Sequence, residues 1–161
     1  PNAAHKKLAQ WEQEGKLKAV VTQNIDGLHQ AAGSKNVFEL HGSVHRNYCQ
    51  KCGKFFDVNY VVNAKGVPYC DECGGIIKPD VVLYEEGLDS QTINGAVRAI
   101  SKADMLIIGG TSLVVYPAAG MIDYFKGKYL AVLNRDATSR DKQADLCITD
   151  PIGEVLGRIR V

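Results

Sequence analysis

The chain has 161 residues, 45% of them apolar and 23% charged, and a formal net charge of +1. That length holds one full hydrophobic core and a small appended module at most, in proportions ordinary for a globular domain. The near-balanced charge gives no electrostatic reason to expect specific nucleic acid or a membrane surface as partner, and no apolar run reaches bilayer-spanning length. No secretory-type segment opens the chain. Instead Pro1-Asn2-Ala3-Ala4-His5 enters a helical pattern at once, so the sequence is expected to begin inside a domain.

From Pro1 to Gly15, Ala4, Leu8 and Trp11 recur at helical spacing and Gly15 is the stop. Leu17 to Val21 is a short apolar, β-branched run that reads as a buried strand. Ile25 to Ala32 reads as a short helix ended by Gly33, and Val37 to Leu40 as a second strand running into His41. From about Arg46 to Pro79 the character changes to cysteine knuckles and short aromatic strands, at Phe55-Phe56 and Val67-Pro68-Tyr69. Val81 to Tyr84 then reads as a strand, Ser90 to Lys102 as a helix with Ser90 as its cap, and Met105 to Ile108 as a strongly apolar strand. A helix is expected from Pro117 to Phe125, a strand from Tyr129 to Leu133, a last strand at Leu146-Cys147-Ile148 and a helix from Ile152. Strands alternating with helices imply an α/β chain with a doubly wound parallel sheet. Residues 1–45 and 80–161 belong to that domain, and residues 46–79 are a module inserted into it.

Cys49-x-x-Cys52 and Cys70-x-x-Cys73, seventeen residues apart, match a zinc ribbon in pairing and spacing. Four thiolates around one tetrahedral Zn²⁺ leave no position for water, so the metal is expected to be structural. A metal site fits a reducing compartment, the cytoplasm, better than disulfides do. Cys147, alone in an apolar strand, reads as core packing.

The strand before Thr22 delivers Gln23, Asn24 and Asp26 to its C-terminal end, and the next delivers His41-Gly42. Ligands of open α/β sheets bind at that edge. Histidine suits proton abstraction near neutrality, whereas Gln23, Asn24 and Asp26 are equally at home as turn formers. Gly109-Gly110-Thr111-Ser112 follows a buried strand and offers close backbone approach to a phosphate or ribose, though many strand-to-helix loops look alike.

Taken together, TQNIDGLH at 22–29, ELHG at 39–42, the paired knuckles and GTSL at 110–113 resemble the sirtuins, the NAD-dependent protein deacylases, over essentially the whole chain. The resemblance implies a Rossmann-like sheet with a zinc-ribbon insertion, NAD as cofactor, and acylated lysine peptides or proteins as partners. It implies His41 as general base on the nicotinamide ribose, Asn24 positioning that ribose and a water, Asp26 on the nicotinamide carboxamide, Gln23 on its ribose, and Ile25 lining the same pocket. Gly110, Thr111 and Ser112 would meet the NAD, Asn134 the adenosine ribose, and the stretch ending at Cys147 the adenine. Val82, Leu83 and Tyr84, with Val114, Val115 and Tyr116, would hold the peptide as an added strand. One departure stands out: the family's aromatic-Gly-Glu reads Tyr84-Glu85-Glu86 here, which puts that turn in question. No counterpart of the GAGxS phosphate loop occurs in the 161 residues. That segment is expected in the same protein or a separate chain, and residues 1–161 alone are expected to be inactive. The rival readings are a zinc-ribbon module on a nucleotide-binding scaffold that has lost catalysis and, disfavoured by charge, a nucleic-acid-binding ribbon.

Overall fold

A computed structural model describes residues 1–160 and divides the chain into two compact units. The first contains residues 1–21, 28–38 and Ser90 onward; the second contains residues 22–27 and 39–89.

In the first unit, α1 (Ala3–Gln13) is capped by Asn2, whose side chain accepts the His5 N–H at 3.1 Å. Its apolar face supplies Ala4 and Trp11 to a core completed by Ala131, Leu133 and Leu156, with Leu8, Leu17, Ile107 and Ile152 around it. The strands β6 (Met105–Gly109), β7 (Tyr129–Leu133) and β8 (Leu146–Ile148) pair in parallel, in the order β6-β7-β8. Residues 130–133 of β7 are buried throughout, as expected of a central parallel strand covered on both faces. A second core of Ile108, Leu130 and Val132 packs with Leu106, Leu113, Ile122 and Phe125. Helices α4 (Ser90–Lys102) and α5 (Ile152–Arg158) complete this unit, together with the short α2 (Leu28–Ala31).

The strands β1 (Val20–Thr22) and β2 (Val37–Glu39) form a separate two-stranded sheet. In the first unit Val20 N–H bonds the Asn36 carbonyl at 2.9 Å, and Glu12 anchors the backbone before β2 by accepting the Lys35 and Asn36 N–H groups, each at 2.7 Å. In the second unit Leu40 N–H bonds the Thr22 carbonyl at 2.9 Å.

The second unit is built on an antiparallel sheet of order β4-β3-β5, where β3 is Gly42–Cys49, β4 is Phe55–Phe56 and β5 is Ile77–Val81. Its small core is Cys49, Phe56, Cys70 and Ile77 with Val61 and Cys73, and α3 (Val58–Val62) is capped by Asp57, which accepts the Tyr60 N–H at 2.9 Å.

Several elements differ from the sequence reading. The strand expected at Val81–Tyr84 ends at Val81, because β5 begins earlier and pairs antiparallel with β3, and the chain beyond Leu83 turns back on itself. The helix expected at 117–125 is a 3₁₀ run, Ala118–Tyr124, with bonds such as Gly120 N–H to the Pro117 carbonyl at 3.1 Å; the glycine in its middle favours no α-helix. Val67 to Tyr69 makes one bridge, Tyr69 to Ile76, rather than a strand. Ser90 is already helical, which moves the cap position to Asp89. Cys147 is exposed and not core, because β8 is an edge strand with a neighbour on one side only.

Candidate active site and metal centre

The register of β3 against β5 jumps from Ser43↔Asp80 to Asn47↔Pro79, so residues 44–46 form a bulge with no partner on β5. Bulges re-aim side chains, and this one turns toward the loop 23–27. Asn47, 1% exposed, closes its far end by donating to the carbonyls of Val44 at 3.1 Å and Phe56 at 3.3 Å.

The bulge and the residues beside it hold three carbonyls of that loop. His41 Nδ1 lies 3.0 Å from the Gln23 carbonyl, the Val44 N–H reaches the Ile25 carbonyl at 3.1 Å, and His45 Nε2 lies 3.0 Å from the Asp26 carbonyl. A carbonyl only accepts, so the first of these contacts makes Nδ1 of His41 the protonated nitrogen. Nε2 of His41 is left with its lone pair, the form a general base needs. The backbone of His41 is fixed as well, its carbonyl accepting the Val82 N–H at 3.1 Å. Asn24 N–H bonds Thr22 Oγ1 at 3.1 Å, which tightens the start of the loop.

Beneath this lies an ionic brace that sequence reasoning missed. Arg46 Nη1 meets Glu39 at 2.7 Å and its Nε meets Asp80 at 2.8 Å, with the Glu39 side chain only 7% exposed. Burial alone would lower the Arg46 pKa, but the bonds to Glu39 and Asp80 outweigh it and raise the value. Arg46 and Asp80 carry no motif, and only the alternation of charge around a bulge could have pointed to them.

The four knuckle sulfurs lie within 4.8 Å of one another. Cys49 and Cys73 sulfurs are 3.4 Å apart and Cys52 and Cys70 sulfurs 3.7 Å. A tetrahedral ion with Zn–S of about 2.3 Å requires sulfurs roughly 3.8 Å apart, so the donor set and its spacing fit zinc. Without the ion's charge the thiols titrate unequally. The Cys52 N–H, then the Lys51 N–H and the neighbouring sulfurs, lower Cys49 to about 6 against the effect of burial. The Lys54 N–H opposes a rise at Cys52, but the Cys73, Cys49 and Cys70 sulfurs, with burial, push it up to about 12. Lys54 bridges to Asp71 and Glu72, each at 2.8 Å, which ties one knuckle to the other.

In the first unit the parallel strands end together: Gly109 pairs with Leu133 and Leu133 with Ile148. Gly110, at φ +61, follows β6, and a Cβ there would meet nothing within 4 Å, which leaves open space over the turn. Thr111 Oγ1 accepts the Leu113 N–H at 3.2 Å, and Asn134, bonded from its N–H to the Ile148 carbonyl at 3.1 Å, lies at the same strand ends. Gly110, Asn134 and the end of β8 thus share one edge, the edge at which α/β sheets take ligands. Ser112 follows in the same loop. Of the residues expected to hold a peptide, Leu83 and Tyr84 are exposed in the second unit, and Val114, Val115 and Tyr116 are exposed in the first.

Residues 1–117 match the Sir2 family. The chain is 67% identical over 157 residues to an NAD-dependent protein deacetylase of Clostridium acetobutylicum, covering 97% of this chain and 64% of the relative. It is 66% identical over 160 residues to one of Clostridium perfringens, covering 99% and 66% respectively. Among solved structures, a Sir2 bound to a p53 peptide and NAD⁺ superposes with a TM-score of 0.91 at 40% identity, over 98% of this chain and 68% of that one. A Sir2 complex with the inhibitor EX-527, 2'-O-acetyl-ADP-ribose and deacetylated p53 peptide gives 0.90 at 42% identity, over 98% and 70%. The chain belongs to the Sir2 family. It spans just under two thirds of the length of the curated relatives it matches.

Proposed function

We propose that the protein containing this chain removes acyl groups, acetyl foremost, from protein lysines in an NAD-dependent reaction. The observation that carries this reading is the tautomer of His41: the bond to the Gln23 carbonyl leaves Nε2 as a base, beside the loop Gln23-Asn24-Ile25-Asp26. Relatives of that name at up to 67% identity support it. Bound NAD⁺ would supply an electrophilic ribose carbon to the acyl oxygen as nicotinamide leaves, and with one water consumed the products would be nicotinamide, free lysine and O-acyl-ADP-ribose. His41 takes the proton of a ribose hydroxyl at Nε2. Asn24 orients the ribose and a water, Asp26 holds the nicotinamide carboxamide, and Gln23 and Ile25 line the same part of the site. Gly110, Thr111, Ser112, Asn134 and Cys147 serve the rest of the cofactor, through backbone and small side chains that admit close approach. Val82, Leu83 and Tyr84, and likewise Val114, Val115 and Tyr116, offer edges for peptide backbone, a mode of binding that tolerates many sequences.

The zinc held by Cys49, Cys52, Cys70 and Cys73 acts on structure alone, because four protein ligands leave it no open position. The reading also needs a phosphate loop, and we place it on a further strand pairing with the free edge of β6. The test is His41→Ala in the full-length protein, assayed by nicotinamide release and deacetylation of an acetyl-lysine peptide. Turnover is expected to fall by about 100-fold or more, the scale of a lost general base, while NAD⁺ binding by calorimetry changes little. An active His41→Ala enzyme refutes the role. A wild-type protein that binds zinc and NAD⁺ without releasing nicotinamide would instead be a binding module.

A further inference from the structure

Position 45 lies outside every motif, yet its side chain reaches from the bulge to the loop. His45 Nε2 reaches the Asp26 carbonyl at 3.0 Å. Because a carbonyl only accepts, the ring carries its proton on Nε2. The same ring covers Gly27, which has φ +66: a Cβ built there would lie 2.7 Å from His45 Cδ2 and 2.9 Å from Nε2. So the left-handed backbone favours glycine here, and the absence of a side chain lets the imidazole lie directly over it. The Val44 N–H on the Ile25 carbonyl fixes the preceding peptide in the same direction. One bulge therefore orients two successive peptide groups on either side of Asp26.

We propose that His45 is a positioning residue for nicotinamide recognition: its Nε2–H and its ring over Gly27 set the backbone of Asp26 and so the aim of the Asp26 carboxylate. The inference rests on the Asp26 role stated under Proposed function. His45 does not touch the reacting atoms. It acts on affinity for the nicotinamide end of the cofactor, not on the proton transfer at His41, which the Gln23 carbonyl orients independently.

The experiment compares wild type, His45→Phe and His45→Gln in the full-length protein. Phenylalanine keeps a ring over Gly27 and removes the donor; glutamine restores an N–H. His45→Phe should raise both KM for NAD⁺ and the nicotinamide inhibition constant about tenfold, the scale of one hydrogen bond at about 1.4 kcal/mol. At saturating NAD⁺, kcat and the KM for acetyl-lysine peptide should stay within about threefold, and His45→Gln should recover part of the NAD⁺ effect. Unchanged NAD⁺ and nicotinamide constants overturn the proposal. So does a uniform loss of kcat and both affinities in Phe and Gln variants alike, which marks a merely structural residue. A ¹⁵N spectrum of the ring nitrogens provides a readout free of turnover: it should show His45 protonated on Nε2 and His41 on Nδ1. A wild type that does not deacylate sinks the deacylase reading, and this proposal is then decided by the ring spectrum and calorimetric NAD⁺ titration of the same variants. His45 protonated only on Nδ1 overturns it in either case.

Discussion

Replacing Gly42 by Ala should be among the most damaging small changes in the second unit, and the structure allows its size to be worked out. Gly42 sits at φ +76, where an L-residue is strained by roughly 1–2 kcal/mol. Its Cβ would also fall on the Asp80 carbonyl oxygen and lie 2.8 Å from the Asp80 carbonyl carbon. Those atoms belong to β5, paired with β3 at Gly42↔Val81, so the ladder must part, at an overpacking cost of about 1–3 kcal/mol. The sum is about 2–5 kcal/mol, a large share of a domain's 5–15 kcal/mol. Gly66 is the control: its φ is +91 but a Cβ there meets nothing within 4 Å, so Gly66→Ala carries the strain alone, about 1–2 kcal/mol. Trp11, the single tryptophan, lies in the first unit, so its fluorescence is the wrong probe. Urea titration of zinc-loaded full-length protein, followed by release of zinc to a chromogenic chelator, reports on the second. A Gly42→Ala protein no less stable than Gly66→Ala would refute the clash argument.

Metal analysis should find one zinc for the four knuckle cysteines, abolished by Cys49→Ser, and chelation should unfold the second unit's knuckles. Zinc affinity should fall as pH is lowered, because the sulfurs bind as thiolates, and cadmium in place of zinc should leave kcat within about threefold, since the ion has no open position. Glu86 accepts the Leu83 N–H at 2.9 Å and pairs with Lys78 at 3.2 Å, and in that order these hold its carboxyl below the ordinary carboxylate range. A depressed folded pKa contributes stability above the unfolded value, about 4.3, and loses it as pH falls through the folded one. The stability gap between wild type and Glu86→Gln should therefore be widest near neutrality and close in acid, measured by melting at each pH.

What was legible in the sequence was whatever depends on local pattern. The knuckle spacing announced the sulfur cluster, and the apolar run at 129–133 announced a strand. The 3.6-residue period of Ala4, Leu8 and Trp11 announced α1. What stayed hidden depends on register. Nothing in Ser43-Val44-His45-Arg46-Asn47 declares that the middle three residues leave the ladder, because a bulge is decided by both strands and by Asn47 donating to the Val44 carbonyl within it. His45 and Arg46 were invisible as site residues for that reason. The strand at Val81–Tyr84 was misplaced by a related cause. A β-branched pair such as Val81-Val82 scores as strand wherever it falls, while here the pairing of β5 with β3 ends at Val81 and the chain then turns on the Glu86 carboxylate.

That carboxylate also explains how the turn holds a left-handed residue other than glycine. Tyr84-Glu85-Glu86 puts a side chain at φ +70, in the region that favours Gly. Glu86 closes the turn three ways: its N–H bonds the Leu83 carbonyl at 3.1 Å, its carboxylate takes the Leu83 N–H, and Lys78 holds that carboxylate from β5. The clamp keeps Glu85 left-handed at a cost of roughly 1–2 kcal/mol. Glu85→Gly removes that strain but frees the unfolded chain, which costs roughly 0.5–1 kcal/mol. The two nearly cancel, so the expected outcome is a stability unchanged or higher by at most about 1.5 kcal/mol. Glu85→Val should lose more than either, since a β-branched residue is the worst occupant of that region. Denaturation of the three proteins side by side decides it: a Glu85→Gly protein clearly weaker than wild type would mean that the Glu85 side chain makes a stabilising contact and that the turn is not strained as argued.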